Sequence, residues 1–281
     1  MLDKRGRDQA EGLRRMLGGQ PQPRRLAVLS AVTPEQKNAV LLNLAAALVN
    51  AGSAVQLLDA SHSKTGIASH AHPALGACLW SVAQQDRGHE QAVREQAQGV
   101  RLSRLSRSPL HGKPDAELEK LSLLLRMLRP ESNFWLVDID LAQDDPFVLP
   151  EIAQSELIVL TSAVPAAIKQ AYGQIKMLQA RLGQRPVYLL VVGASAQQAE
   201  LIQQNMALAS SRYLAITLTG LGHVPADEQL AQAESVGRAI LDSNPVAEAS
   251  VAFRKMAAQL ISNAQGRPDF SAAGLGAALK V

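Results

Sequence analysis

Residues 26–49 read LAVLSAVTPEQKNAVLLNLAAALV. The apolar run Leu26–Leu29 leads into a short polar loop, and a Leu/Ala-rich segment of helical composition, Val40–Val49, follows it. Strand, tight loop and helix in that order form the setting in which proteins place a phosphate on backbone N–H groups at a helix N-terminus. Such a setting calls for a glycine-rich cradle, yet Ala31–Asn38 contains no glycine. The stretch therefore predicts the frame of a phosphate site without its usual contacts.

The rest of the chain narrows the setting. With 281 residues, 47% of them hydrophobic, it is long enough for one large domain with appendages. No apolar run approaches the roughly 18 residues that span a bilayer. Asp3, Lys4, Arg5, Arg7 and Asp8 are followed by no apolar stretch of the kind a secretory signal needs. Cys78 is the only cysteine, which excludes an internal disulfide and a multi-thiolate metal centre. A cytoplasmic protein is expected. The net charge of +3 is uneven: residues 1–25 hold seven Lys/Arg against three acids, so the remainder is nearly neutral. A short basic arm suits an acidic protein, an anionic membrane surface or nucleic acid, and equally a merely solubilising tail.

Within that arm, Asp8–Leu17 reads as a short helix. Asp8 serves as N-cap with Glu11 three residues on, Ala10, Leu13, Met16 and Leu17 form one apolar stripe, and Gly18, Gly19, Pro21 and Pro23 end it. About ten residues is too short to be stable alone, so this helix must dock on its own domain or on another protein. From residue 25 onward strand-like and helix-like runs alternate. The strands are Leu26–Leu29, Ala54–Leu58, Gly99–Leu105, Phe134–Val137, Leu157–Leu160, Val187–Val192 and Ile216–Val224. The helices are Val40–Asn50, Leu75–Gln84, Asp115–Leu128, Ala166–Leu182, Ala196–Ser210 and Leu230–Leu241. Continuous apolar strands separated by helices predict an α/β fold with a doubly wound, mostly parallel sheet flanked by helices. Three parts are expected: an arm (1–24), the α/β domain (25–262) and a Gly/Ala-rich tail (263–281).

Doubly wound sheets bind ligands beyond the C-terminal ends of their strands. That rule nominates Val32–Asn38, Asp59, Ser61, Asp138, Asp140, Thr161–Pro165, Gly193-Ala194 and Pro225–Asp227. Acids placed directly after apolar strands hold Mg²⁺ in nucleoside triphosphatases, although a lone Asp there is more often a helix cap.

In this order the motifs resemble those of MinD/ParA-type deviant P-loop ATPases, and within that class the FlhG (FleN) group. The resemblance rests on Asn43–Ala45 (N-L-A) behind the loop, Leu57–Ala60 (L-L-D-A), Phe134–Asp138, Ala171–Lys176 (AYGQIK) and Leu221–Asp227 (LGHVPAD). The N-terminal D-Q-A-x-x-L-R of Asp8, Gln9, Ala10, Leu13 and Arg14 adds the finer likeness. It implies that these five residues contact an FlhF-type signal-recognition-particle GTPase and stimulate it, at a cell pole or peripheral to the inner membrane. Flagellar switch (C-ring) proteins or a flagellar transcription regulator are further partners the resemblance allows.

The departures fall on the nucleotide. Where the family reads G-K-G-G-V-G-K-T, a gapless count from Asn43 gives Ala31-Val32-Thr33-Pro34-Glu35-Gln36-Lys37-Asn38. The lysine that reaches across a nucleotide-bridged dimer becomes Val32, the Mg²⁺-binding threonine becomes Asn38, and only Lys37 is kept. The second acid after the L-L-D-A strand is Ser61, and the base-reading asparagine is Gly193. Proline fixes φ near −65° and removes an N–H. Glu35 brings negative charge towards a triphosphate, at about 4 kcal/mol for like charges 4 Å apart in a dielectric of about 20.

The expectation is a pseudo-ATPase that regulates flagellar number or placement by protein contact, with Lys37, Asn38, Asp59 and Asp138 as a vestigial nucleotide site. No cofactor is expected, and ATP with Mg²⁺ would bind weakly. Two alternatives stay open: a working or weak ATP-binding switch that dimerises and binds membrane, and a pilus- or secretion-localising relative. Membrane association is expected to be weak or indirect. Nucleic acid is disfavoured because the basic clusters lack aromatic stacking partners. Arg101, Arg104 and Arg107 are expected on a solvated face, His62, His70 and His72 in a loop without metal, and Trp80 and Trp135 in the core.

Overall fold

The computed structural model describes residues 22–85, 89–96, 98–128, 132–142 and 145–265. The Asp8–Arg14 segment and the tail beyond Gln265 lie outside them. Eight strands form one sheet: β1 (Arg24–Ser30), β2 (Val55–Asp59), β3 (Val93–Glu95), β4 (Arg101–Arg104), β5 (Phe134–Asp138), β6 (Glu156–Thr161), β7 (Val187–Val192) and β8 (Leu218–Val224). Their order is β3-β4-β2-β5-β1-β6-β7-β8. Every neighbouring pair is parallel except β3–β4. The expected doubly wound sheet is therefore the fold. Strand β3 is an addition: three residues without an apolar run give no strand signal, and pairing with β4 holds them.

Helices cover both faces. On one lie α1 (Pro34–Asn50) and, later in the chain, α8 (Glu228–Ser235), α9 (Ile240–Ser243) and α10 (Glu248–Gln265). The other carries α3 (Leu79–Gln84), α4 (Asp115–Leu128), α6 (Pro165–Leu182) and α7 (Ala196–Leu214). Two short helices, α2 (Ile67–Ala71) and α5 (Pro150–Ala153), complete the set. No helix among the described residues is long and apolar enough to cross a membrane.

Strand alternation sends Leu26 and Val28 into the first apolar layer and Ala27 and Leu29 into the second. Strands β2, β5 and β7 are buried at every position, which is why they are apolar except at Gln56, Asp59 and Asp138. Trp135 is wholly buried, whereas Trp80 is half-buried beneath the Lys113 ammonium, 5.2 Å from the ring centre.

Two polar pins fix the frame. At the start of β1, Arg24 donates to both Glu156 carboxylate oxygens (3.0 and 2.8 Å), to the Tyr188 hydroxyl (2.8 Å) and to the Leu260 carbonyl. In α1, buried Asn43 donates to the Ala39 carbonyl and accepts from the Ile240 N–H, each at 2.8 Å, which ties α1 to α9. The segment Leu230–Leu241, expected as one helix, is two, because Gly237 between them takes a φ of +66°. Helix α3 begins at Leu79 rather than Leu75, and α2 occupies the loop after β2.

Candidate functional site

The sequence-nominated residues Lys37, Asn38, Asp59 and Asp138 do converge, at the C-terminal ends of β1, β2 and β5. All four are buried. The loop expected at Ala31–Asn38 is shorter than the sequence predicts. Only Ala31–Thr33 lie outside helix, because α1 starts at Pro34. A capping box explains the early start. The Thr33 hydroxyl accepts from the Gln36 N–H (3.4 Å) and the Gln36 side-chain carbonyl accepts from the Thr33 N–H (3.3 Å). Pro34 sits at the first helical position, where its missing donor costs nothing.

An α-helix N-terminus attracts anions because its first N–H groups have no partners within the helix. Here those donors are taken. Thr33 and Gln36 cap each other, and Pro34 has no N–H. The Glu35 carboxylate accepts from its own backbone N–H and from the Thr33 hydroxyl, which hold its carboxyl below the ordinary value. A side-chain carboxylate thus stands where a phosphate would.

The basic group is engaged as well. The Lys37 ammonium lies 2.7 Å from Asp138 Oδ1, with both side chains buried. Asp138 Oδ2 accepts from the Ile67 N–H (3.1 Å). Burial pushes the Asp138 carboxyl up to about 6 against the pull of Lys37, with the nearby Asp59 charge adding to the rise.

Asp59 has a parallel role. Its Oδ1 accepts from the Ser61 N–H (3.0 Å) and hydroxyl (2.7 Å), and its Oδ2 accepts from the Ala68 N–H (3.0 Å). The two acids after β2 and β5 therefore hold successive N–H groups of α2, the first turn after Gly66. A Cβ on Gly66 would stand 2.3 Å from Ser61 Oγ and 2.7 Å from Asp59 Oδ2, so glycine is required for close approach. Asn38 donates to the Thr65 carbonyl (3.2 Å), and its Oδ1 is buried without a hydrogen-bond partner.

Two further contacts close the region. Arg104, expected on a solvated face, turns inward: it donates to Ser69 Oγ (2.8 Å), with its Nε 4.0 Å from Asp59. Arg104 turns inward for an electrostatic reason: buried Asp59 needs a cation, and β4 lies beside β2 in the sheet. Arg107 is exposed, as expected, and donates to the carbonyls of Leu75 and Gly76, each at 2.8 Å. His70 joins α2 to α8 through the Glu234 carbonyl (2.8 Å) and carboxylate (3.2 Å). Burial raises the Glu234 carboxyl; His70 pulls it down and Glu35 pushes it up.

Sequence reasoning missed Glu35 as a self-bound anion, and it missed Arg104 and the His70–Glu234 contact. The first was legible, since Thr33-x-x-Gln36 with Pro34 between is a helix-start signature. The others needed the strand order.

The same architecture recurs in solved structures. The MinC:MinD cell division complex of Aquifex aeolicus matches with a TM-score of 0.65 and 15% identity, over 85% of this chain and 96% of that one. The chain has the MinD/ParA fold. MinD of Pyrococcus horikoshii with Mg-ADP matches with a TM-score of 0.63 and 15% identity, over 86% of this chain and 97% of that one. A putative plasmid partition protein of Borrelia burgdorferi bound to AMPPNP gives 0.60 and 13%, over 86% and 100%. No family model and no curated protein sequence matches. At the matching strand ends, Thr33 and Gln36 cap each other, Lys37 pairs with Asp138, and Asp59 and Asp138 accept from N–H groups of α2.

Proposed function

We propose that this chain is a nucleotide-independent regulator on the MinD/ParA fold, acting by protein contact rather than ATP turnover. The observation that carries the reading is the self-capped start of α1, with the Glu35 carboxylate on its own N–H and Lys37 paired to Asp138. A switch needs two states with different affinity for its ligand, and a site that satisfies itself offers no such difference. Calorimetry with ATP and Mg²⁺ tests this. No heat of binding is expected up to about millimolar ATP, where Kd corresponds to about −4 kcal/mol. Micromolar binding that Lys37→Ala abolishes would overturn the reading.

The finer proposal places output in the N-terminal arm, as an FlhG-like regulator of an FlhF-type GTPase. Asp8, Gln9, Ala10, Leu13 and Arg14 would make the contact. Support comes from the root of the arm. Arg24, the last residue of the expected arm, is fixed at the start of β1 by Glu156, at the opposite end of the strand from the Lys37–Asp138 site. GTP turnover of the partner with a peptide of residues 1–20 tests it. Stimulation lost in Gln9→Ala is expected; no stimulation, or stimulation indifferent to Gln9→Ala, refutes it.

A second reading is an ATP-binding MinD-type switch that dimerises and associates peripherally with membrane. The buried Asn38 Oδ1, left without a hydrogen-bond partner beside Lys37, favours it. So do the Mg-ADP and AMPPNP in two of the similar structures. On this reading a MinC-type partner, as in the A. aeolicus complex, joins the candidates. The same calorimetry separates the two readings.

A further inference from the structure

Two segments of the chain are free of acid. Residues 60–85 and 96–114 hold five Lys/Arg (Lys64, Arg101, Arg104, Arg107 and Lys113) and no Asp or Glu, although the chain has 25 acids in 281 residues. The fold joins the two. Arg104 donates to Ser69 Oγ (2.8 Å), and Arg107 donates to the carbonyls of Leu75 and Gly76 (2.8 Å each). The Trp80 N–H donates to the Leu105 carbonyl (2.9 Å), and the Lys113 ammonium stands over the Trp80 ring. The result is one basic strip that passes the end of β4 from α2 to α3.

Arginines elsewhere are neutralised locally: Arg24 by Glu156, Arg126 by Glu151 and Arg181 by Asp145. Within the strip, buried Asp59 lies 4.0 Å from Arg104. No carboxylate among the described residues pairs with Lys64, Arg107 or Lys113. Lys64 and Arg107 are exposed and Lys113 is half-buried. Two of these three cations are already held in place. Arg107 Nη2 is fixed between two carbonyls, which leaves the Nε and Nη1 hydrogens for an oxygen ligand. The ring of Trp80 holds the Lys113 ammonium. A cation whose orientation is already set loses less freedom when a carboxylate arrives.

The residues of the strip select among polyanions. Single-stranded nucleic acid needs open aromatic faces for stacking, and the one aromatic residue in the two segments, Trp80, is half-buried with Lys113 over its ring. Duplex DNA is held by roughly 6–10 phosphate contacts in typical binders, and three side chains fall short of that. An anionic membrane needs bulky apolar side chains beside the cations. Every large hydrophobic residue exposed on the described surface lies at Leu123 or later in the chain. Carboxylates need only cations and hydroxyl donors, and Ser63, Thr65 and Ser108 supply hydroxyls within the strip.

We infer that the strip of Lys64, Arg107 and Lys113 is a docking surface for an Asp/Glu-rich segment of a partner protein, separate from the N-terminal arm. Fluorescence anisotropy of a labelled poly-Glu peptide with the full chain reads it out. Binding weakens as salt rises from about 50 to about 300 mM. The triple variant Lys64→Glu, Arg107→Glu, Lys113→Glu weakens it about tenfold or more. The arm carries cations as well, so matched triples serve as controls. Lys4→Glu, Arg5→Glu, Arg7→Glu in the arm, and Lys169→Glu, Lys176→Glu, Arg254→Glu at exposed positions of α6 and α10, each change it less than about threefold. No binding at about 50 mM salt, full binding by the strip variant, or an equal loss in all three triples overturns the inference. So does tighter binding of duplex DNA or of phosphatidylserine vesicles at equal salt, released by the strip variant. Arg107→Gln alone, expected to weaken peptide binding about threefold, repeats the test should the triple variant fail to fold.

Discussion

Replacing Lys37 by methionine separates a structural lysine from one kept for a ligand. In the folded chain the Asp138 carboxyl sits at about 6 instead of 3.8, although Lys37 already pulls it down. That gap corresponds to about 3 kcal/mol at 1.36 kcal/mol per pH unit. The sign follows from proton counting: between pH 3.8 and about 6 the folded chain holds a proton that the unfolded chain has released. Stability from this group is therefore present below pH 3.8 and lost as the pH rises to about 6. Without Lys37 the carboxyl rises further, and the loss continues above pH 6. The stability of Lys37→Met thus departs little from the parent at pH 5 and falls short by about 3 kcal/mol at pH 8, within the about 3–5 kcal/mol typical of removing one partner of a buried pair. Urea unfolding at pH 5, 6, 7 and 8, followed by the fluorescence of buried Trp135, measures it. Adding Asp138→Asn to Lys37→Met should flatten the pH dependence and recover most of the loss. A pH-independent difference below about 1 kcal/mol would refute the reasoning, since surface pairs contribute no more than that.

Gly66→Ala should destabilise by about 1–3 kcal/mol through overpacking, because the Ser61 and Asp59 atoms it meets are pinned by their own hydrogen bonds; an unchanged urea midpoint would contradict the packing. Ala215 ends α7 with φ +54°, ψ +35°, a left-handed cap where glycine carries no Cβ penalty. Ala215→Gly should stabilise by about 0.5–1 kcal/mol, read as a higher unfolding midpoint. Glu234, whose carboxyl is raised above 4.5, loses stability as the pH climbs through its folded value. Glu234→Gln should therefore give a shallower decline in stability above pH 4.5, and an unchanged slope would count against burial as the cause.

The sheet was legible because its central strands are buried on both faces, and burial on both faces writes an apolar run into the sequence. Phe134–Asp138 and Val187–Val192 lie where the pattern places them. Strand β3 was not legible, since Val93–Glu95 owes its conformation to β4 alone. Helix α1 is the instructive case. The family frame draws Ala31–Asn38 as a degraded loop, while Thr33, Pro34 and Gln36 already spell a helix start. Local capping chemistry decides where the helix begins.

The sequence by itself determined which groups end up near one another: strands ending in Asp59 and Asp138, and a helix beginning just before Lys37, meet wherever this strand order forms. What it left open was whether those groups face a ligand or each other. Only the tertiary structure decided that, by bringing Lys37 within 2.7 Å of Asp138 and laying the N–H groups of Ile67 and Ala68 on the two acids. The physical reason is desolvation. Carboxylates buried this deeply must find donors inside the protein, and in this fold the nearest ones are its own lysine and the first turn of α2.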